Sequence, residues 1–126
     1  MLRTYFHTKL LIFAILFTTA VFVFTHLPQE IMPSQFEKDG VDKLEHVLAY
    51  GVITFLFLIS LRTSPTILTA LLLSLAVSVI GIFDELTQRF MNRNASVTDL
   101  MADFVGILAA LFFFAVRRRW FLRTTP

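Results

Sequence analysis

Four apolar runs, roughly residues 10 to 27, 44 to 61, 66 to 83 and 100 to 116, divide this chain of 126 residues. At about 1.5 Å of rise per residue, each is close to the length a helix needs to cross a hydrocarbon core about 30 Å thick. The pattern predicts an all-α polytopic membrane protein with four transmembrane helices in a single domain over residues 1 to 126.

The polar residues between the runs give the chain a direction. All nine carboxylates (Glu30, Glu37, Asp39, Asp42, Glu45, Asp84, Glu85, Asp99 and Asp103) fall in, or within four residues of, the segments joining runs one to two and three to four. Arg3, Lys9, Arg62, Arg117, Arg118, Arg119 and Arg123 lie at the opposite ends, with no acid among them. Cytoplasmic flanks carry the Lys and Arg excess, which predicts both termini and the 62 to 66 turn in the cytoplasm of a multi-pass cell (inner) membrane protein. Four cations (Lys38, Lys43, Arg89 and Arg93) against nine acids leave the outer side at −5, and seven cations put the inner side at +7, which reproduces the formal +2.

Composition narrows the function classes. With 56% hydrophobic residues there is no room for a soluble domain. The isoelectric point near 9.4 reflects basic residues split among membrane flanks, where anionic lipid is the expected partner and nucleic acid is not. The absence of cysteine removes disulfides, thiolate catalysis and thiolate-bound metals. Arg3 and Lys9 before an apolar run resemble a signal peptide, but the run is longer than the usual 7 to 15 residues of such segments and no small-x-small cleavage site follows it, so the first helix is expected to be retained.

Within the runs, spacing assigns faces. Pro28 ends the first helix near His26, read as an ordinary interfacial residue. The stretch from Pro28 to Gly40 reads as an outer loop with Ile31, Met32 and Phe36 dipping toward lipid. Asp42 is the expected N-cap of the second helix, with Glu45 three residues on as in a capping box. Asp42, His46 and Tyr50 then share one face at intervals of four. On the third run Ser74, Ser78, Gly81, Glu85 and Gln88 form one small and polar stripe, and on the fourth Asp99, Asp103, Gly106 and Ala110 repeat the spacing. Such stripes face protein in a bilayer, and the seams of helices three and four are expected to meet.

Together the outer ends hold Asp42, Lys43, His46, Tyr50, Asp84, Glu85, Gln88, Arg93, Asn94, Ser96, Asp99 and Asp103. Any one of them would serve as a helix cap, but five acids, a histidine and an arginine on adjoining helices point to a site, because ionisable groups in a membrane are costly without a use. Two chemistries fit. His46 with Asp84, Glu85, Asp99 or Asp103 would hold a divalent cation; Asp84, Glu85 and Asp103 are the carboxylate candidates, with calcium or magnesium suited better than zinc by carboxylates alone. Alternatively His46, oriented by an aspartate such as Asp99, would act as a general base, with Asp42, Lys43, Tyr50, Gln88, Arg93 and Ser96 around a ligand and Arg93 on its phosphate or carboxylate. A transporter is disfavoured, since the inner halves of the runs hold no ionisable residue to continue a path.

Three ordered blocks, DKLEHVLAY at 42 to 50, FDELTQRF at 83 to 90 and RNASVTDLMADFVG at 93 to 106, resemble the VanZ-like family of small bacterial membrane proteins, whose founding member is associated with teicoplanin resistance. The resemblance implies Asp42, Lys43, His46, Tyr50, Asp84, Glu85, Gln88, Arg93, Ser96, Asp99 and Gly106 as the family's marked positions. The chain departs from the pattern at Asp103, where Asn is common, and at Ala110 and Asn92, where Gly is common. The expected function is an outward polar pocket engaging the headgroup of a membrane lipid or lipid-linked envelope precursor, with an effect on glycopeptide susceptibility. The alternatives are a small lipid-modifying transferase or hydrolase using His46 and carboxylates, and an assembly subunit packing against other membrane proteins.

Overall fold

The computed structural model describes residues 5–28, 31, 40–63, 65–91 and 96–124, with the backbone alone for Met91 and 118–124. Arg93, Asn94 and most of the loop after Pro28 lie outside the described residues. Four helices follow one another: α1 at Thr8–Thr25, α2 at Val41–Ser60, α3 at Ile67–Gln88 and α4 at Val97–Thr124. A 3-10 turn, Arg89–Met91, extends α3. All four are long and apolar enough to cross a membrane, the fourth by its segment Val97–Arg117. The protein is an all-α, four-helix, multi-pass membrane protein; among the described residues the extended backbone amounts to one isolated bridge, Phe6 to Leu61.

Burial is inverted relative to a protein in water. Leu68, Leu71, Leu72, Leu75, Val79, Ile82, Phe83 and Leu86 all leave α3 outward, and α1 buries only Ala14. Such a surface would be an aggregation liability in water and is the natural one against acyl chains. Inside lie Tyr50, Ile53, Val77 and Ile107, ringed by half-buried apolar groups from α1 to α4. The serines of α3 are buried, as their stripe predicts, and satisfy themselves locally: Ser74 donates to the Ala70 carbonyl and Ser78 to that of Ser74, each at 2.9 Å. They therefore act as small packing groups that cost no unpaired hydroxyl.

α4 packs most extensively on α2. Gly51 and Gly106 make this possible. A Cβ on Gly106 would sit 2.2 Å from the Val47 carbonyl oxygen and 2.9 Å from the Gly51 nitrogen, so backbone meets backbone there. The two polar seams of α3 and α4 touch higher up, where a Cβ on Gly81 would be 3.0 Å from Asp103 Oδ2; Gly106 itself is used against α2 rather than α3.

The helix starts differ in one respect from expectation. α2 begins at Val41, with Gly40 in the N-cap position at φ 98° and no side-chain cap, so Asp42 is a first-turn residue and not the cap. A left-handed φ favours glycine, and a carboxylate in the first turn still complements the helix dipole. Thr66 caps α3 by accepting from the Thr69 amide at 3.1 Å, and Ser96 Oγ accepts from the Asp99 amide at 3.3 Å at the start of α4. At the basic end the His7 amide donates to the Ser60 carbonyl (2.7 Å) and the Arg62 amide to that of Tyr5 (2.9 Å), tying the segment before α1 to the α2–α3 turn.

Candidate functional site

The end of α1, the start of α2, the end of α3 and the start of α4 converge at the acidic end of the bundle, where the expected residues form two linked groups. The first centres on Asp84, which is 1% exposed. Its Oδ1 accepts from Thr25 Oγ1 at 2.8 Å, and its Oδ2 accepts from the Tyr50 hydroxyl at 3.2 Å and Gln88 Nε2 at 3.1 Å. His26 Nδ1 lies 3.4 Å from Oδ1. Both oxygens are thus engaged from three helices, and Asp84 reads as a keystone of the packing rather than an open ligand.

The second group centres on His46. Its Nδ1 is 2.8 Å from Asp103 Oδ1 and 3.9 Å from Glu85 Oε1. Since a carboxylate accepts, a proton on Nδ1 points to Asp103, and in the neutral ring that places the lone pair on Nε2. The Tyr50 ring lies parallel to that of His46, with centroids 6.4 Å apart, and joins the two groups through its bond to Asp84.

The two groups differ in how well they are satisfied. Glu85 Oε1 and Oε2, Asp99 Oδ1 and Asp103 Oδ2 are buried without a hydrogen-bond partner, while neither Asp84 oxygen is. A buried polar group left unpaired costs about 1 to 3 kcal/mol, and more when charged. Among the described residues His46 is placed against Glu85 and Asp103, yet these four oxygens have no hydrogen-bond donor.

In front of His46 a cleft of about 460 Å³ opens between α1 and α2. Its walls are apolar, from Ala20, Val21, Phe24, Leu48 and Ala49, and its polar groups are Thr25, Asp42, Glu45, His46, Tyr50 and Gln88. Ala20, Phe24 and Leu48 are exposed, so its mouth meets the lipid-facing surface. Glu85 and Asp103 stand behind His46 and do not line the cleft.

Among the residues expected from spacing, Asp42, His46, Tyr50 and Gln88 reach the cleft, and Asp84, Glu85, Asp99 and Asp103 are buried around it. Lys43 is half-buried beside Asp42, and Ser96 is engaged as the α4 cap. Arg93 lies outside the described residues. Thr25 and His26 were not expected to take part: His26, far from being a plain interfacial group, approaches the Phe22 carbonyl through Nδ1 and Thr87 Oγ1 through Nε2, both at 2.8 Å, and stacks on Phe22. The available signal was their position, two polar residues closing a span on the side that holds every acid. No family model, curated protein or solved structure matches this chain.

Proposed function

We propose that this chain is a VanZ-like protein of the bacterial cell (inner) membrane, with both termini cytoplasmic, that engages the headgroup of a membrane lipid or lipid-linked envelope precursor in the cleft before His46. The observation that carries the reading is the profile of the cleft: apolar walls open to the acyl region, ending in Asp42, Glu45, His46, Tyr50 and Gln88. An amphiphile matches that profile, with its chain along α1 and α2 and its head among acceptor-rich side chains. Carboxylates and an imidazole lone pair suit hydroxyl, amide and amine donors, the groups that sugar and peptide headgroups carry. Lys43 and Arg93 are the cations nearest in sequence for a phosphate.

A lipid-linked precursor held this way would be less open to a lipoglycopeptide acting at the membrane surface, which ties the reading to teicoplanin. In a sensitive Gram-positive host, expression should lower susceptibility to teicoplanin and leave vancomycin unaffected, and His46→Ala and Asp99→Asn at matched membrane levels should abolish the effect. Unchanged susceptibility with wild type, or protection that survives both substitutions, would remove the antibiotic arm of the proposal.

A second reading, lipid-modifying catalysis, is favoured by one contact, the 2.8 Å His46 to Asp103 pair. It holds the imidazole with Nε2 as the free base, the arrangement a general base needs.

A further inference from the structure

We propose that His46, Glu85 and Asp103 form a binding site for one divalent transition cation of the manganese, cobalt and zinc class, set behind the cleft. One atom from each residue lies within 4.8 Å of the other two, and all three residues are buried. Ligand atoms sharing a cation at about 2.0 to 2.2 Å stand roughly 3 to 3.5 Å apart. The observed 2.8 Å and 3.9 Å from His46 Nδ1 to Asp103 Oδ1 and Glu85 Oε1 bracket that spacing.

The independent pointer is Glu85. Its side chain is 9% exposed, both its oxygens are buried without a partner, and one of them faces the His46 ring. A carboxylate with no hydrogen bond in a membrane interior is expensive. Asp103 Oδ2 is orphaned in the same way. A neutral imidazole with two carboxylates carries −2, which one divalent ion cancels, and a cation would occupy the position of the Nδ1 proton and release it on binding. The imidazole shifts the preference from the calcium or magnesium that carboxylates alone would suit to borderline metals. Asp84 is outside this set because its oxygens are already engaged by Thr25, Tyr50 and Gln88. The site stands apart from the headgroup reading, since it can be occupied with no lipid in the cleft.

Cobalt(II) is the probe, added to chelator-treated, tag-free full-length protein in detergent, with binding read from visible absorption and total cobalt after desalting. One cobalt per chain is expected, displaced by zinc. Changing an outer-shell partner of a metal ligand costs 10 to 100-fold in affinity, so losing a ligand in Glu85→Gln or Asp103→Asn should weaken binding by at least about 100-fold. Glu85→Gln removes no hydrogen bond, so its metal-free form should unfold at or above the wild-type temperature, and cobalt should stabilise wild type alone. Folded wild type without stoichiometric cobalt, or folded Glu85→Gln that binds cobalt as wild type does, would overturn the site.

Discussion

Replacing Gly106 with valine is expected to abolish the folded protein in mild detergent. The new Cβ would lie 2.2 Å from the Val47 carbonyl oxygen, 2.9 Å from the Gly51 nitrogen and 3.0 Å from the Val47 carbonyl carbon, all backbone atoms of α2. No rotamer change relieves such a clash, and the helices must separate. Overpacking of this kind costs about 3 kcal/mol at the severe end of the usual range. In a bilayer there is no hydrophobic force between helices to offset the loss, because close van der Waals contact is what holds α2 to α4. The same movement carries Asp103, one turn from Gly106, away from His46. Unfolding in mixed micelles, followed by loss of helical circular dichroism with rising denaturing detergent, should show Gly106→Val unfolded where wild type is intact. Gly81→Ala is the graded comparison: its Cβ meets Asp103 Oδ2 at 3.0 Å and Tyr50 Cε1 at 3.2 Å, both side-chain atoms, and it should be milder. Wild-type unfolding of Gly106→Val would mean that α2 and α4 do not cross at these glycines.

Asp84→Leu should be the most damaging change among the acids. Leucine branches at the same atom but is larger, so the effect combines overpacking of a position only 1% exposed with loss of the acceptor that serves Thr25, Tyr50 and Gln88. Thr25 can still donate to the Phe22 carbonyl at 3.0 Å, so the two buried donors that lose their acceptor, Tyr50 and Gln88, cost about 2 kcal/mol together at about 1 kcal/mol each. Interhelical bonds in membranes average about 0.6 kcal/mol, and those from Thr25 and Tyr50 set the lower end near about 1 kcal/mol. Asp84→Asn keeps one acceptor oxygen and should lose roughly half as much. Glu85→Leu, at the next residue and nearly as buried, should cost nothing or stabilise, because no hydrogen bond is lost. Unfolding of the three variants side by side checks the order. Equal losses at 84 and 85 would mean that the two carboxylates are not partitioned as the hydrogen bonds indicate.

The contrast between Asp84 and Glu85 also marks how far spacing carries. Intervals of three and four put Glu85 and Gln88 on the protein-facing side of α3, and Asp99, Asp103 and Gly106 on that of α4, and all of them are buried. The spans were legible for the same reason: four long apolar runs have few alternatives. Helix starts were less so, because a capping box at Asp42 and an N-cap at Gly40 differ by a φ angle that no periodicity encodes. Partners were legible only in part: the α3 and α4 seams meet at Gly81 and Asp103 as their stripes predict, but individual pairings were not. Which helix Gly106 meets, and which carboxylate collects donors while its neighbour collects none, depend on the rotation of each helix about its axis. His26 belongs with these: it is one polar residue at a helix end, and only the approach of Thr87 and Asp84 from α3 separates it from an interfacial histidine.

The most direct test of headgroup engagement is the lipid content of the cleft itself, measured by native mass spectrometry of tag-free protein released from mild detergent. Ala20 is exposed and lines the mouth between α1 and α2, so Ala20→Trp should block the cleft without entering the core. Wild type should retain one phospholipid or lipid-linked precursor per chain, Ala20→Trp should lose it, and His46→Ala should retain less. Equal retention by all three, or none by folded wild type, would contradict the account.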